Sequence, residues 1–177
     1  MRPLAAAATI VTLLAAAGGC TAPPPPSSIQ LTLGTTATTD GSGFTPLTGA
    51  QPLVPGAQGG FHIWLKLRVA GMAPRAVKVE RTARRVSDNR LLLTTEQVLD
   101  VGAAGPDGYW ELPTAIPSFM CPSPIGVSVV DTPARFTVRF VDDDLKTILV
   151  EESAEATPEC PPEGDPQREF CYRICTG

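Results

Sequence analysis

Residues 61–69 read FHIWLKLRV, and the fold is decided here. Phe61, Ile63, Leu65, Leu67 and Val69 alternate with His62, Trp64, Lys66 and Arg68. Side chains on a strand point to opposite faces with a period of two. The stretch therefore predicts a strand with one apolar and one polar face. Upstream, residues 40–60 carry repeated turn signals: Asp40-Gly41, Pro46, Gly49, Pro52, Pro55-Gly56 and Gly59-Gly60. Before them, Ile29, Leu31 and Leu33 alternate with polar residues.

Downstream the same grammar repeats. Residues 76–86 place Val77 and Val79 against Lys78, Glu80 and Arg81. Ser87-Asp88-Asn89 is a turn, and residues 90–98 return as the second arm of a hairpin. Residues 108–112 form a short strand ended by Pro113. Residues 125–130, 134–141 and 145–152 supply three more, with Asp142-Asp143-Asp144 joining the last two. No long stripe of period 3.6 is bounded by caps, so little helix is expected. Seven to nine strands with turns at short intervals predict an all-β, immunoglobulin-like β-sandwich. A small up-and-down β-barrel is the alternative. The cysteine, tryptophan, cysteine order of true immunoglobulin domains is absent, because both tryptophans precede Cys121.

Composition bounds the class. Of 177 residues, 43% are hydrophobic and 18% charged, too apolar for a wholly disordered chain. Proline (19) and glycine (16) together make about a fifth, above the usual share of roughly an eighth. The length suits one domain. The boundaries read 1–19 signal segment, 20–28 tether, 29–156 sandwich and 157–177 cysteine-rich tail.

There are five cysteines. Setting Cys20 aside leaves Cys121, Cys160, Cys171 and Cys175, an even number that predicts two disulfides in an exported chain. Three connectivities are open. One bond from the tail to Cys121 and one within the tail are expected. A zinc site is the competing reading, but Cys171 and Cys175 have three residues between them and no second close pair exists.

The N-terminus begins Met1-Arg2 and continues with an apolar run from Leu4 to Ala17. That is too short to span a bilayer and suits a signal-peptide core. Leu13 to Cys20 reads LLAAAGGC and resembles the lipobox of bacterial lipoproteins. Ala17 stands where that family usually has a large aliphatic residue. The resemblance implies that Cys20 is acylated and becomes the new N-terminus. Thr21 rather than Asp after the cysteine implies, by the same resemblance, sorting to the outer membrane. An ordinary secretory signal, with Cys20 a normal thiol, is the competing reading. The following TAPPPPSS (21–28) favours extended polyproline II and reads as a tether. The segment LVPGAQGGFHIWLKLRV (53–69) also resembles one recurring in uncharacterised predicted lipoproteins of myxobacteria-like species, a resemblance that carries no known activity.

Candidate chemistry is sparse. His62 is the only histidine and, with Met72 or Met120, could ligate copper. That would make a periplasmic metal-handling protein, the alternative function. Asp142-Asp143-Asp144 could ligate calcium, but lacks the glycine and distal glutamate of an EF-hand loop and reads more simply as a solvated turn. No G-x-S-x-G, H-E-x-x-H, P-loop or dinucleotide fingerprint occurs. An enzyme is not expected, and no cofactor is implied. Charge is uneven: residues 61–90 carry net +6 and residues 141–169 net −8. Solvated strand faces with cross-strand pairing explain this simply. The functional reading is a basic contact face of Lys66, Arg68, Arg81, Arg84 and Arg85 for an envelope protein or anionic glycan. The function expected is a lipid-anchored, non-catalytic envelope sandwich that binds or scaffolds another component. Its partners are the membrane, through the anchor, and that component; nucleic acid is not expected for an exported chain.

Overall fold

The strand read from residues 61–69 forms, and runs Phe61–Ala70. The computed structural model describes residues 28–36, 42–142, 144 and 147–177. The signal segment, Cys20 and nearly all of the tether lie outside the described residues, as do Asp143 and Lys146. The elements in chain order are β1 (Gln30–Thr35), β2 (Thr45–Pro46), β3 (Gly49–Pro52), β4 (Val54–Pro55), β5 (Phe61–Ala70), β6 (Arg75–Arg85), β7 (Leu91–Val101), β8 (Trp110–Glu111), β9 (Ile116–Cys121), β10 (Ala134–Asp142), β11 (Thr147–Glu159) and α1 (Arg168–Cys175). They form a β-sandwich of two sheets rather than a closed barrel. Seven strands have six residues or more, and four are bridges of two to four residues.

The first sheet is built around β5. Arg68 and Val69 stand between β1 and β8, and Phe61 and His62 stand between β4 and β9. The second sheet has the order β3-β11-β10-β6-β7. Its neighbours are antiparallel except β3, which runs parallel to β11. Both expected hairpins, β6–β7 and β10–β11, are present. At the first, Asn89 takes φ 59, a left-handed conformation that asparagine tolerates in turns.

The core lies between the sheets. Phe61, Ile63, Leu65, Leu67 and Val69 of β5 are at most 2% exposed. They face Val77, Val79 and Ala83 of β6 and Ala134, Phe136, Val138 and Phe140 of β10, all buried. Burying each large apolar side chain contributes roughly 1.5–3 kcal/mol.

Besides the short strands β2, β3 and β4 in the turn-rich stretch, three elements differ from expectation. Residues 125–130 are not a strand. Val127 and Val129 are fully buried, as their alternation suggests, but their amides bond to Pro124 O and to Cys175 O at the end of α1. Gly126 (φ 73) and Asp131 (φ 54) turn the chain at either end of that stretch. Instead Ile116–Cys121 is a strand, although Pro117 interrupts its pattern. Proline is tolerated there because β9 is a margin strand.

The tail is also more ordered than expected. β11 continues to Glu159, and α1 follows. Phe170, Cys171, Ile174 and Cys175 share a helical face, and both cysteines are fully buried. Glu169 in the first turn and Arg173 in the last suit the helix dipole. The Phe170 ring lies 5.8 Å from that of Phe61, so the helix closes one end of the sandwich. The disulfides are Cys121–Cys175 and Cys160–Cys171, one from the tail to the domain and one within the tail.

The two bridges close loops of different length, with sequence separations of 54 and 11. A cross-link constrains the unfolded chain more as its loop lengthens. Replacing Cys121 and Cys175 by Ser should therefore cost about 1 kcal/mol more than replacing Cys160 and Cys171. Urea unfolding of the two double variants checks this. A larger loss from the shorter loop would contradict it.

Candidate functional site

The outward face of the first sheet gathers the residues that sequence reading singled out on β5. His62, Trp64, Lys66 and Arg68 project there by strand alternation. That face is polar in composition, and two of its four side chains are closed off from solvent. His62 is 4% exposed and Lys66 2%.

His62 is enclosed by aromatic rings. Trp64 meets it edge-on at 4.4 Å between centroids, and Phe119, its cross-strand partner on β9, lies at 5.4 Å. Gly56 covers it from the turn before β5; a Cβ there would sit 3.3 Å from Nδ1. Neither ring nitrogen has a hydrogen-bond partner. Burial disfavours the charged imidazolium and pulls the His62 pKa below 6.5. The ring acts as a neutral packing element.

Lys66 and Arg68 converge on Glu111 of β8. The Lys66 ammonium lies 3.0 Å from Glu111 Oε1 and donates to Leu112 O at 2.6 Å and Pro113 O at 3.3 Å. Arg68 Nε donates to Glu111 Oε2 at 2.8 Å. Burial opposes ionisation of Glu111, yet these hydrogen bonds hold its carboxyl below the usual range. The Arg68 guanidinium also lies 4.2 Å over the Phe44 ring. Phe44 rests on Gly34, where an added Cβ would meet the ring at 2.5 Å. Only glycine permits that approach.

The expected basic contact face does not assemble. Lys66 is buried and ion-paired, and Arg68 is committed to Glu111 and Phe44. Arg81 points into the sandwich, because it shares the parity of Val77, Val79 and Ala83 on β6. It is 5% exposed. Its Nη1 donates to Pro117 O at 3.2 Å and Ser118 Oγ at 3.3 Å, and Nη2 to Gln97 Oε1 at 2.9 Å. Arg81 thus ties β6 to β7 and, across the interior, to β9. Desolvation pulls its pKa to about 10. Only Arg84 and Arg85 stand together, at the β6–β7 hairpin. Arg84 donates to Asn89 O, and Arg85 pairs with Asp88 at 2.5 Å. The Arg85 hydrogen bond lowers the Asp88 carboxyl to about 2.

The metal candidates are also separated. Met120 is 1% exposed in the core, on the face of β9 opposite Phe119 and therefore opposite His62. Met72 lies beyond the far end of β5, and that end is about 26 Å along the strand from His62. His62, Met72 and Met120 form no common site. The sulfurs of Cys160, Cys171 and Cys175 lie within 4.8 Å of one another, but all three belong to disulfides, which removes the thiolates zinc would need. At the β10–β11 turn, Asp142 Oδ2 pairs with Arg75 at 2.8 Å and its Oδ1 accepts from the Asp144 amide. That is a structured turn. Two carboxylates of the acidic segment belong to a cross-strand ladder: Arg135 with Glu155, Arg139 with Glu151, and the Thr137–Ser153 hydroxyl pair between them.

No family model matches the chain, and no curated protein matches it. Among solved structures, it is similar to a β-glucuronidase of Bacteroides uniformis at 15% identity and a TM-score of 0.37. The match covers 72% of this chain and 13% of that one. No helix among the described residues is long and apolar enough to cross a membrane. The two disulfides indicate an oxidising setting outside the cytosol.

Two measurements test the outward face. Glu111→Gln leaves the Lys66 ammonium buried without its counter-charge, and should cost about 2 kcal/mol in urea unfolding, below the full buried-pair range because Glu111 is 30% exposed. Adding Lys66→Met should recover much of that loss; no recovery would deny the pairing its role. Separately, the unfolded chain takes up a proton that buried His62 refuses. Stability is thus complete above pH 6.5 and falls as pH drops below it towards the lowered folded value. Between pH 7.5 and 5.5, His62→Phe should flatten this slope; equal slopes would refute it.

Proposed function

We propose that this chain is a lipid-anchored, non-catalytic β-sandwich of the bacterial cell envelope that binds or scaffolds another envelope component. The observation that carries the reading is cysteine parity. The fold pairs Cys121, Cys160, Cys171 and Cys175 with one another. Cys20 is left over, at the end of an apolar run with the form of a lipobox. An odd cysteine in an oxidised, exported chain calls for a separate use, and acylation supplies one. Each buried methylene of an acyl chain contributes roughly 0.8 kcal/mol to membrane retention. The Pro23–Pro26 run then spaces the sandwich from the bilayer.

The non-catalytic part rests on what the polar side chains are doing. The single histidine is walled in by Trp64, Phe119 and the Gly56 turn. Lys66, Arg68 and Glu111 satisfy one another. Arg81 braces the interior. These groups support a body built for rigidity and attachment. The copper-handling alternative is set aside, because its three ligands face different parts of the fold.

Expression in a Gram-negative host followed by mass spectrometry of the mature N-terminus tests the anchor. The expected product begins at acylated Cys20 and fractionates with the outer membrane. Cys20→Ser should release it in soluble form. A mature chain with an unmodified Cys20 thiol would refute the anchoring.

A further inference from the structure

The two bridges, Cys121–Cys175 and Cys160–Cys171, meet where the tail joins the sandwich. The sulfurs of Cys160, Cys171 and Cys175 all lie within 4.8 Å of one another. Cys171 and Cys175 belong to different bridges, yet their sulfurs stand 3.8 Å apart, near contact. They occupy successive turns of one helical face, and both are fully buried. Cys160 differs. It precedes the helix and is 8% exposed. It also lines an open cleft of about 470 Å³, together with Asp131, Glu159, Pro161, Arg168 and Tyr172. Arg168 is held there by donating to Pro161 O, on the residue after Cys160, at 2.6 Å. A fixed guanidinium favours a thiolate over a thiol nearby. Which sulfurs can bond is set by the backbone. Side chains four apart on a helix have Cβ atoms about 5–6 Å apart, and a disulfide needs about 3.5–4.5 Å. Cys171 and Cys175 therefore do not pair with each other while α1 stands. Cys160 is bonded to one of them and has the other within reach.

We propose that Cys160 is a site of thiol–disulfide exchange with a dithiol reductant, and that it relays reduction from the cleft to the buried Cys121–Cys175 bridge. A thiolate of the reductant attacks Cys160 Sγ. The Cys160–Cys171 bond breaks, and its electron pair leaves on Cys171, which takes up a proton. The second thiol of the reductant, as thiolate, attacks the reductant's own sulfur in the mixed disulfide. The reductant departs as a closed disulfide and releases the Cys160 thiolate. Two electrons have passed to the protein, with the two protons of the dithiol available to its thiolates. Cys160 then attacks Cys175 Sγ. The bond to Cys121 breaks, its electron pair leaves on Cys121, and Cys121 takes up the second proton. This last exchange needs no further reductant.

The product holds a Cys160–Cys175 bond and thiols on Cys121 and Cys171. α1 stays tied to the end of β11, but its tie to β9 is gone. A bridge sealed in the core is thus opened from the surface. The relay is independent of the lipid anchor, and Cys20→Ser removes the fifth thiol from its test.

The folded Cys20→Ser chain is treated with less than one equivalent of dithiothreitol in mildly alkaline buffer, quenched in acid, alkylated and mapped by mass spectrometry. Chains with two thiols should carry them on Cys121 and Cys171, with Cys160 bonded to Cys175. Beside them should stand the precursor, with thiols on Cys160 and Cys171. In concentrated urea the same treatment should instead spread the thiols over all pairings. Two-thiol chains whose thiols sit only on native partners overturn the proposal. So does a folded chain that gives the same spread as the urea sample, because exchange would then belong to the unfolded state. Cys121→Ser, added to this background, leaves three sulfurs and one thiol. Exchange should divide that thiol between Cys175 and Cys171, and a thiol that stays on Cys175 alone overturns the relay. Should this variant fail to fold, the mapping of the four-cysteine chain decides.

Discussion

The structure depends on satisfying the backbone of one buried strand. β5 has its core face sealed between the sheets and its other face covered by aromatic rings and an ion-paired cluster. Each buried amide and carbonyl along it must find a partner, since an unpaired one costs as much as a lost hydrogen bond. No single neighbour is long enough to do this. Segments that begin at residues 30, 54, 110 and 116 are each drawn to part of the strand. The many short strands and prolines follow from that demand. A short segment that pairs a few residues and then turns away is what proline-rich connections can provide. The second sheet is built differently, from two long hairpins, and serves as the slab against which the patchwork sheet packs.

Charged groups inside such a body must be compensated. Lys66 has both a carboxylate and carbonyl oxygens around its ammonium. Arg81 has neutral acceptors only, and desolvation lowers its proton affinity accordingly. His62 has no acceptor and remains neutral. These are three solutions to one problem: pair the charge, distribute it over dipoles, or remove it. For Lys66 and Arg81, replacement by a hydrophobic residue of similar size is a milder change than removal of a partner.

Much of this was legible in the sequence. The strand at 61–69, the two hairpins, the sandwich class and the pattern of one tail-to-domain and one intra-tail disulfide all follow from alternation, turn residues and cysteine counting. What was not legible had physical causes. Pro117 hid β9, since a proline argues against a strand unless the strand is known to lie at a margin. Val127 and Val129 show the alternation of a strand, but burial needs only an apolar partner, and here that partner is the end of a helix. The helix was obscured because two of its four apolar positions are cysteines. Their i, i+4 spacing, with Phe170 and Ile174 beside them, was the available signal. The contact face failed for a similar reason. Arg81 has the parity of Val77 and Val79, which places it inward, and the chemistry of its side chain suggested otherwise. Coverage of the outward face of β5 by Phe44, Phe119 and the 112–113 carbonyls is a tertiary fact with no local trace.

The ends of β5 have different neighbours, and this has a bearing on orientation. Gln30, the first residue of β1, stands beside Ala70. The C-terminal helix and both disulfides gather at the opposite end, around Phe61 and Cys121. If the chain is held by its amino terminus as proposed, the attachment lies on the side of one pole, and the cross-linked cap occupies the other, about 30 Å away along the strand. Held in this way, the molecule would stand with its most heavily stapled surface outermost. Proteases and solutes arriving from the aqueous side would meet the part of the chain least able to unravel.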